Sequence, residues 1–225
     1  MSLRVAITRA LPEANATAGR LRALGAEPVV APLLKIEQRA FDQTMSGVQA
    51  LLFTSANGVR AFSAASPFVM APVFTVGDAT AQAARAAGFR DVRSAGGDSA
   101  DLLALVRGAL DPKAGRVVHF SGAHVAGDIV SMLSNAGFDA ERRIAYEAIA
   151  VPDLPADYRN PVDVVLFHSA RAVEIFAGFG APNAGDMKTA CLSPAIAAAA
   201  SVSPWKQVIV APRPREDALL AAALA

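Results

Sequence analysis

Short hydrophobic runs alternate with Ala- and Leu-rich stretches along the whole chain. RVAIT at residues 4–8 precedes a helical pattern that continues to about residue 24, and EPVVAPLLKIE at 27–37 again has the pattern of a strand. Gly25, Gly88 and Gly137 each follow such a helical stretch, where glycine commonly ends a helix in the left-handed conformation. The alternation predicts an α/β protein with mainly parallel sheets.

The chain resembles itself when it is shifted by 112 to 116 residues. RVAITRA at 4–10 aligns with RVVHFSG at 116–122, and LLFTSAN at 51–57 aligns with VLFHSAR at 165–171. Further blocks match in the same order, which indicates an internal duplication. Each copy then supplies a strand, a helix and a strand, followed by three more strand-helix units. We therefore expect two similar three-layer domains with doubly wound parallel sheets, about ten strands and about eight helices in all.

Polar and proline-containing segments interrupt each copy: EQRAFDQ at 37–43 and VPDLPADYRNP at 151–161. They lie inside the copies and not between them. The leading strand-helix-strand of each copy could therefore complete its own sheet or the sheet of the other copy, and these residues leave both arrangements open. Either arrangement predicts two α/β domains with a cleft between them.

Small polar residues follow several predicted strands. In parallel sheets, ligands bind beyond the carboxyl ends of the strands, where helix N-termini expose free N–H groups. The candidate binding residues at these positions are Arg9, Ser55, Asn57, Thr80, Ser121, Ser169 and Ser193. Hydroxyls, amides and a guanidinium suit carboxylate or phosphate groups. Serine, threonine and asparagine are also ordinary helix caps, so capping alone would explain the same pattern.

Composition excludes several classes of protein. The 21 basic and 20 acidic residues give a net charge of +1, which is not the footprint of a nucleic-acid binder. A single cysteine, Cys191, supplies no disulfide framework. The three histidines lack metal-ligand spacing: His119 lies in a predicted strand, His124 begins a predicted helix, and His168 follows a later strand. No GxGxxG, GxxxxGK[ST] or GxSxG occurs. We therefore expect no metal site, and a dinucleotide site, a P-loop and a nucleophile elbow lose their usual support. The chain has no run of about 18 apolar residues, which predicts no membrane span. The low cysteine content fits a reducing compartment and favours the cytoplasm.

Tyr146 is the candidate catalytic residue. It is one of two tyrosines and lies near the end of the second strand of copy two, where copy one has Leu34. A tyrosine hydroxyl can donate a proton or a hydrogen bond to a departing oxygen. An aromatic residue at the end of an amphipathic strand would have the same pattern, so a packing role stays open.

Over nearly its full length the chain resembles the uroporphyrinogen-III synthase family. The resemblance is carried by VAITRALPEANATAGRLRALG, LLFTSANGVRAF, VFTVGDATAQAARAAGF, RRIAYEAI, VLFHSARAV and APRPREDALLAA, in this order. It implies a cofactor-free lyase of tetrapyrrole and heme biosynthesis. Such an enzyme cyclises hydroxymethylbilane to uroporphyrinogen III in the interdomain cleft, with inversion of ring D and loss of water. The substrate carries eight carboxylates, which fits the polar residues after the strands.

The resemblance also implies a domain organisation. Residues 1–36 join 155–225 in one domain, 41–148 form the other, and 37–40 with 149–154 form a two-stranded hinge, so the leading strand-helix-strand segments are exchanged. It further implies a monomer with no nucleic-acid or membrane partner.

Several site residues follow from the resemblance. Tyr146 matches the family tyrosine proposed to assist departure of the hydroxyl. Ser55, Thr80 and Ser169 match small polar positions lining the cleft. Arg9 matches the arginine of an N-terminal Thr-Arg motif, and Lys188 matches a basic position.

The chain departs from the family pattern after the ninth strand. Many relatives read Gly-Pro-Thr-Thr there, whereas this chain reads Ser193-Pro194-Ala195-Ile196. Two alternatives to the synthase stay open. Duplicated α/β domains also suit a two-domain sensor that binds an anionic small molecule without turnover. The loss of two hydroxyls would fit an inactive member of the family.

Overall fold

The computed structural model describes residues 2–65, 70–125 and 127–225. The chain divides into two compact units. Unit 1 comprises Met1–Lys35 and Ile149–Ala225, and unit 2 comprises Ile36–Ala148. The polypeptide therefore passes from one unit to the other twice.

Strands and helices alternate through the described residues. The strands are β1 (Arg4–Ile7), β2 (Glu27–Val30), β3 (Leu34–Gln38), β4 (Val48–Phe53), β5 (Val73–Thr75), β6 (Val92–Ser94), β7 (Arg116–Gly122), β8 (Ala140–Ala150), β9 (Val164–Phe167), β10 (Lys188–Cys191) and β11 (Gln207–Val210). The helices are α1 (Glu13–Ala23), α2 (Ala56–Ala65), α3 (Asp78–Ala86), α4 (Ser99–Ala109), α5 (Ile129–Asn135), α6 (Ala170–Gly178), α7 (Pro194–Ala200) and α8 (Glu216–Leu224). Short 3-10 helices lie at Ala156–Arg159 and Ala184–Asp186.

Unit 1 contains a five-stranded sheet in the order β11-β10-β9-β1-β2. All neighbouring pairs are parallel, and β1 lies directly against β9 with Val5 opposite Val164. Helices α1 and α8 pack on one face, and α6 and α7 pack on the other. The N-terminal β1-α1-β2 segment therefore completes a sheet whose other strands come from the C-terminal part of the chain.

Unit 2 contains a six-stranded sheet in the order β3-β8-β7-β4-β5-β6. Strands β4 to β8 pair in parallel. Helices α2 and α3 cover one face, and α4 and α5 cover the other. Here β7-α5-β8, which opens the second copy of the duplication, completes a sheet begun by the first copy. The predicted α/β class, the duplication and the exchange of the leading segments are confirmed.

The strands β3 and β8 run antiparallel. Arg39 N–H donates to the Ala145 carbonyl at 2.9 Å, and Val151 N–H donates to the Leu33 carbonyl at 3.1 Å. Partner positions thus rise on one strand as they fall on the other, which defines an antiparallel pair.

Aromatic packing stabilises the α2 and α3 face of unit 2. Ring centroids of neighbouring phenylalanines lie 4.6 to 6.2 Å apart. The rings belong to Phe41, Phe53, Phe62, Phe89 and Phe120. Phe53 and Phe120 are fully buried in adjacent strands. Strands buried on both faces read as continuous hydrophobic runs, which is why the sequence pattern of this sheet is so clear.

Buried Arg143 ties the segment after β3 to this core. Its guanidinium donates to the carbonyls of Asp42 and Thr44 at 2.9 and 2.7 Å, pairs with Glu141 and lies 5.8 Å from the Phe120 ring centroid. Its side chain is 4% exposed. A buried charge requires partners of this kind, and Arg143 has them.

Helix ends follow the sequence in three places and depart from it in one. Gly25, Gly88 and Gly137 have φ of 80°, 97° and 90°, so the predicted left-handed helix ends are confirmed. The expectation that a helix begins at His124 is wrong: α5 begins at Ile129, after the Asp128 side chain caps the Ser131 N–H at 3.0 Å. None of the helices within 2–65, 70–125 and 127–225 is long and apolar enough to cross a membrane.

Candidate functional site

The carboxyl edge of the unit 2 sheet gathers most of the predicted residues. Tyr146, Ser121, Ser55 and Thr80 lie in or after β8, β7, β4 and β5, which are consecutive strands. Neighbouring strands are about 4.8 Å apart, so these four positions span about 15 Å along one edge. A row of that length can contact several groups of one extended ligand.

Ser55 and Asn57 form the turn between β4 and α2. The Ser55 Oγ accepts a hydrogen bond from the Asn57 N–H at 3.1 Å, and the Asn57 Oδ1 accepts one from the Arg60 guanidinium at 2.6 Å. Both side chains are half-buried. Each side chain thus accepts one hydrogen bond within the turn. Among the described residues the Ser55 hydroxyl donates no hydrogen bond, so its proton is available for a ligand.

Thr80 lies in the first turn of α3, after the extended residue Gly77. Its side chain is buried, and within the described parts of the chain its hydroxyl has no hydrogen-bond partner. Helix N-termini attract anions because their first N–H groups are unpaired and the helix dipole is positive there. The Thr80 hydroxyl can therefore supplement this N-terminus as a donor to a carboxylate.

Tyr146 sits on a β-bulge. Ser121 of β7 pairs with Ile144 of β8, but the next residue, Gly122, pairs with Tyr146, so Ala145 is an extra residue in β8. Tyr146 is half-buried against the same hydrophobic cluster that contains Ala145. No residue of the described chain hydrogen-bonds to the Tyr146 hydroxyl. The phenol therefore lies at the carboxyl edge with its proton unused.

The loop after β7 is fixed by Arg142. The Arg142 Nε donates to the Ser121 Oγ at 2.8 Å, and the Nη2 donates to the carbonyls of Gly122 and Ala123, both at 2.7 Å. The Ser121 hydroxyl is buried and itself donates to the Gly122 carbonyl at 3.1 Å. The hydroxyl of the predicted binding residue Ser121 is thus hydrogen-bonded within the loop. Contact between that hydroxyl and a ligand would require the loop to rearrange.

A buried histidine lies behind Thr54. The His119 Nε2 is 3.0 Å from the Thr54 Oγ1, and His119 is 2% exposed. Burial, together with the nearby positive charge of Arg142, lowers the pKa of His119 to about 4. The imidazole is therefore neutral near pH 7, and it supports the residue that precedes Ser55.

In unit 1, Arg9 lies after β1 and approaches Glu216 in the first turn of α8. The Arg9 Nη1 is 3.4 Å from the Glu216 Oε1. Thr17 and Arg20 of α1 also donate to this carboxylate. The Arg9 side chain is 28% exposed. One long contact uses little of its donor capacity, so the guanidinium can still bind an anion.

His168 lies directly after β9 in the same cluster. Both ring nitrogens are buried without a hydrogen-bond partner among the described residues, and the Nε2 is 3.9 Å from the Glu216 Oε1. Burial lowers the pKa of His168 to about 3, with a further contribution from the positive charge of Arg9. This imidazole is also neutral near pH 7.

Ser169 and Ser193 cap helices at the carboxyl edge of unit 1. The Ser169 Oγ accepts a hydrogen bond from the Ala172 N–H at 3.3 Å. Ser193 precedes α7, and its side chain makes no capping bond. Ile196 of the same turn is buried in the core. The residue that replaces a family threonine here is thus a packing residue.

The structure separates Lys188 from the other predicted residues. It is the first residue of β10 and pairs with Val164 and Gln207, the first residues of β9 and β11. It therefore lies at the amino edge of the sheet, opposite the edge that carries Arg9, Ser169 and Ser193. A four-residue strand is about 10 Å long, so Lys188 lies outside the row of loops.

Sequence reasoning missed Gly122, Arg142, Glu216 and the bulge at Ala145. Their contacts join residues that are between 19 and 207 positions apart in the chain. Strand register and ion pairs of this kind leave no local motif. Among residues 2–65, 70–125 and 127–225, no group of three or more His, Cys, Asp and Glu side chains could hold a metal ion.

Comparison with known proteins identifies a family. The family model described as uroporphyrinogen-III synthase HemD matches residues 15–221. No curated protein matches the chain significantly. A crystal structure of uroporphyrinogen-III synthetase from Helicobacter pylori 26695 aligns with a TM-score of 0.71 at 15% identity, covering 100% of this chain and 99% of that one.

A second solved structure has the same fold and aligns with a lower TM-score. A mutant uroporphyrinogen III synthase from the extremely thermophilic bacterium Thermus thermophilus aligns with a TM-score of 0.55 at 21% identity, covering 98% and 97% of the two chains. At these identities the likenesses establish the fold, and the family model establishes kinship over more than nine tenths of the sequence. The chain therefore belongs to the uroporphyrinogen-III synthase family.

Proposed function

We propose that the protein is a uroporphyrinogen-III synthase that converts hydroxymethylbilane to uroporphyrinogen III, with inversion of ring D and release of water. This makes it a lyase. We further propose that it works without a cofactor, as a cytoplasmic monomer that binds neither nucleic acid nor membranes. The observation that carries the proposal is the row of polar groups at the carboxyl edge of unit 2, with the Tyr146 hydroxyl unused at one end. Membership of the family supports it.

Substrate binding rests on many weak contacts. Hydroxymethylbilane carries eight carboxylates, and the candidate donors are the hydroxyls of Ser55, Thr80 and Ser193, the guanidinium of Arg9 and the N–H groups at helix N-termini. Each neutral hydrogen bond contributes about 1 kcal/mol, and a bond to a guanidinium contributes more. Donors spread along the sheet edge of each unit can bind carboxylates although the whole chain has a net charge of only +1. Ser121 and Lys188 have less support, since the first is engaged by Arg142 and the second lies at the amino edge.

Tyr146 starts the reaction. Its hydroxyl donates a proton to the hydroxyl of the substrate as the carbon–oxygen bond breaks, so that water leaves and a protonated azafulvene and a tyrosinate remain. The substituted carbon of ring D then attacks this electrophile and forms a spiro intermediate, whose rearrangement and closure give the inverted isomer. The tyrosinate takes back the proton that the macrocycle releases when it closes.

Binding controls which isomer forms. The azafulvene can also close without inversion. The protein must therefore hold the linear tetrapyrrole so that the substituted carbon of ring D faces the azafulvene. Correct orientation of reacting groups contributes several kcal/mol to rate. Side-chain chemistry is then needed only at the departure step, which fits a site with one phenol and many binding hydroxyls.

Product analysis tests this proposal. Hydroxymethylbilane generated immediately before use is incubated with the protein, the products are oxidised, and isomers I and III are separated chromatographically. We expect isomer III to dominate with the protein, and isomer I to dominate in buffer or with heat-denatured protein. Binding of hydroxymethylbilane without formation of isomer III would indicate a sensor or an inactive family member instead.

A further inference from the structure

We infer that Gly122 and the β-bulge at Ala145 position the Tyr146 hydroxyl, with Gly122 acting as the seat on which the phenol ring rests. The inference rests on the proposed role of Tyr146 and assigns positioning residues to it. Neither Gly122 nor Ala145 would touch the substrate in this account.

The bulge determines which residue faces Gly122. Successive side chains of a strand point to opposite faces of a sheet. If β8 continued in regular register after Ile144, Ala145 would pair with Gly122, and Tyr146 would point to the opposite face. With the bulge, Tyr146 packs against the same cluster as Ala145. β-Bulges commonly redirect a side chain next to an active site. This one brings the phenol over the end of β7.

Gly122 leaves the space that the ring occupies. A Cβ at this position would lie 2.8 Å from the Tyr146 Cζ, 2.9 Å from its Cε2 and 3.1 Å from its hydroxyl oxygen. Gly122 does not have a positive φ, so its backbone does not itself require glycine. The absence of a side chain is therefore needed by the tyrosine and not by the turn.

The seat is rigid because both sides of it are bonded. The Ala123 N–H donates to the Tyr146 carbonyl at 2.9 Å, which holds β8 against the end of β7. Arg142 donates to the carbonyls of Gly122 and Ala123 at 2.7 Å. An added methyl group would thus displace the Tyr146 ring, whose hydroxyl no described residue holds by a hydrogen bond, and not the loop beneath it.

The test compares Gly122→Ala with Gly108→Ala. Gly108 lies in α4, and a Cβ there has no neighbour within 4 Å, so it is the matched control. Because the chain has only two tyrosines, 3-fluorotyrosine labelling gives two 19F resonances, assigned through Tyr146→Phe and Tyr158→Phe. Tyr158 is buried and donates to the Ala31 carbonyl at 3.1 Å, so it reports on the general fold.

We expect Gly122→Ala to shift the Tyr146 resonance, to leave the Tyr158 resonance in place and to lower kcat about tenfold or more with little change in KM. A displacement of about 1 Å from productive geometry has effects of this size or larger. Gly108→Ala should change neither resonance nor rate. An unmoved Tyr146 resonance would show that Gly122 does not determine the position of the ring. A shifted resonance with full kcat would show that this position does not matter for catalysis.

A double-mutant cycle covers the case in which Gly122→Ala folds poorly. If the methyl group clashes only with the ring, Gly122→Ala should cost little stability in a Tyr146→Ala background. Equal loss in both backgrounds would overturn the inference. The 19F and stability results do not depend on turnover, so they decide the seat even if the wild-type protein forms no isomer III, an outcome that would remove the proposed function alone.

Discussion

Lowering the pH from 7 to 5 should destabilise each unit through one buried histidine. Burial lowers the pKa of His119 in unit 2 to about 4 and that of His168 in unit 1 to about 3. An unfolded chain binds a proton at each histidine near pH 6.5. Below that pH the unfolded state therefore takes up protons that the folded state refuses, so stability falls until the folded pKa is reached.

The size of the effect follows from these pKa values. One proton of difference changes the free energy of unfolding by about 1.4 kcal/mol per pH unit. From pH 6.5 to pH 5 each histidine therefore costs its unit about 2 kcal/mol. The loss is complete near pH 4 for His119 and near pH 3 for His168, below which both states are protonated.

Urea unfolding at pH 7 and pH 5 measures this loss, and His168→Leu assigns it. The variant removes two buried nitrogens that have no partner in the described chain, so it should be no less stable than the wild type at pH 7. It should also lose about 2 kcal/mol less on acidification, because His119 is then the one of the two buried histidines that remains. An equal loss in wild type and variant would refute the assignment.

Three further predictions test the fold and the site. Arg143→Met should destabilise unit 2 by about 3 kcal/mol in urea unfolding, because it removes a buried charge from its hydrogen-bonded partners. Arg116→Met removes an exposed partner of the same Glu141 and should cost less. Equal losses would contradict a stabilising role for buried Arg143. Tyr146→Phe should slow the consumption of hydroxymethylbilane about a hundredfold without destabilising the protein, as expected for loss of a general acid, and full activity would remove that role. Ser55→Ala should reduce the free energy of transition-state binding by about 1 kcal/mol, seen as a several-fold fall in kcat/KM. An unchanged kcat/KM would show that the hydroxyl stabilises the turn alone.

Much of the fold could be predicted because local patterns specify it. Alternating strand and helix patterns gave the α/β class, and Gly25 ended α1 with φ of 80° as expected. The repeat predicted two similar units because matching blocks kept their order. The start of α5 was placed five residues early at His124, since the cap formed by Asp128 on Ser131 was not recognised as the signal.

The site was harder to predict because its supports are tertiary. Loop residues such as Ser55 follow strands in the sequence, so their edge of the sheet was predictable. Lys188 was assigned by resemblance, although it begins its strand and lies at the opposite edge. Gly122 lacks any local signature, because its importance comes from a bulge in β8 and from a ring 24 positions along the chain.

Binding of uroporphyrinogen III to uniformly 15N-labelled protein shows whether the ligand contacts the carboxyl edges of the sheets. The account predicts that uroporphyrinogen III perturbs backbone amide resonances at residues 54–58 and 77–81 in unit 2 and at 168–172 in unit 1, where strands end and helices begin. Amides near Lys188, at the opposite edge of its sheet, should remain unchanged. Perturbations concentrated around Lys188, with none at the carboxyl edges, would contradict it.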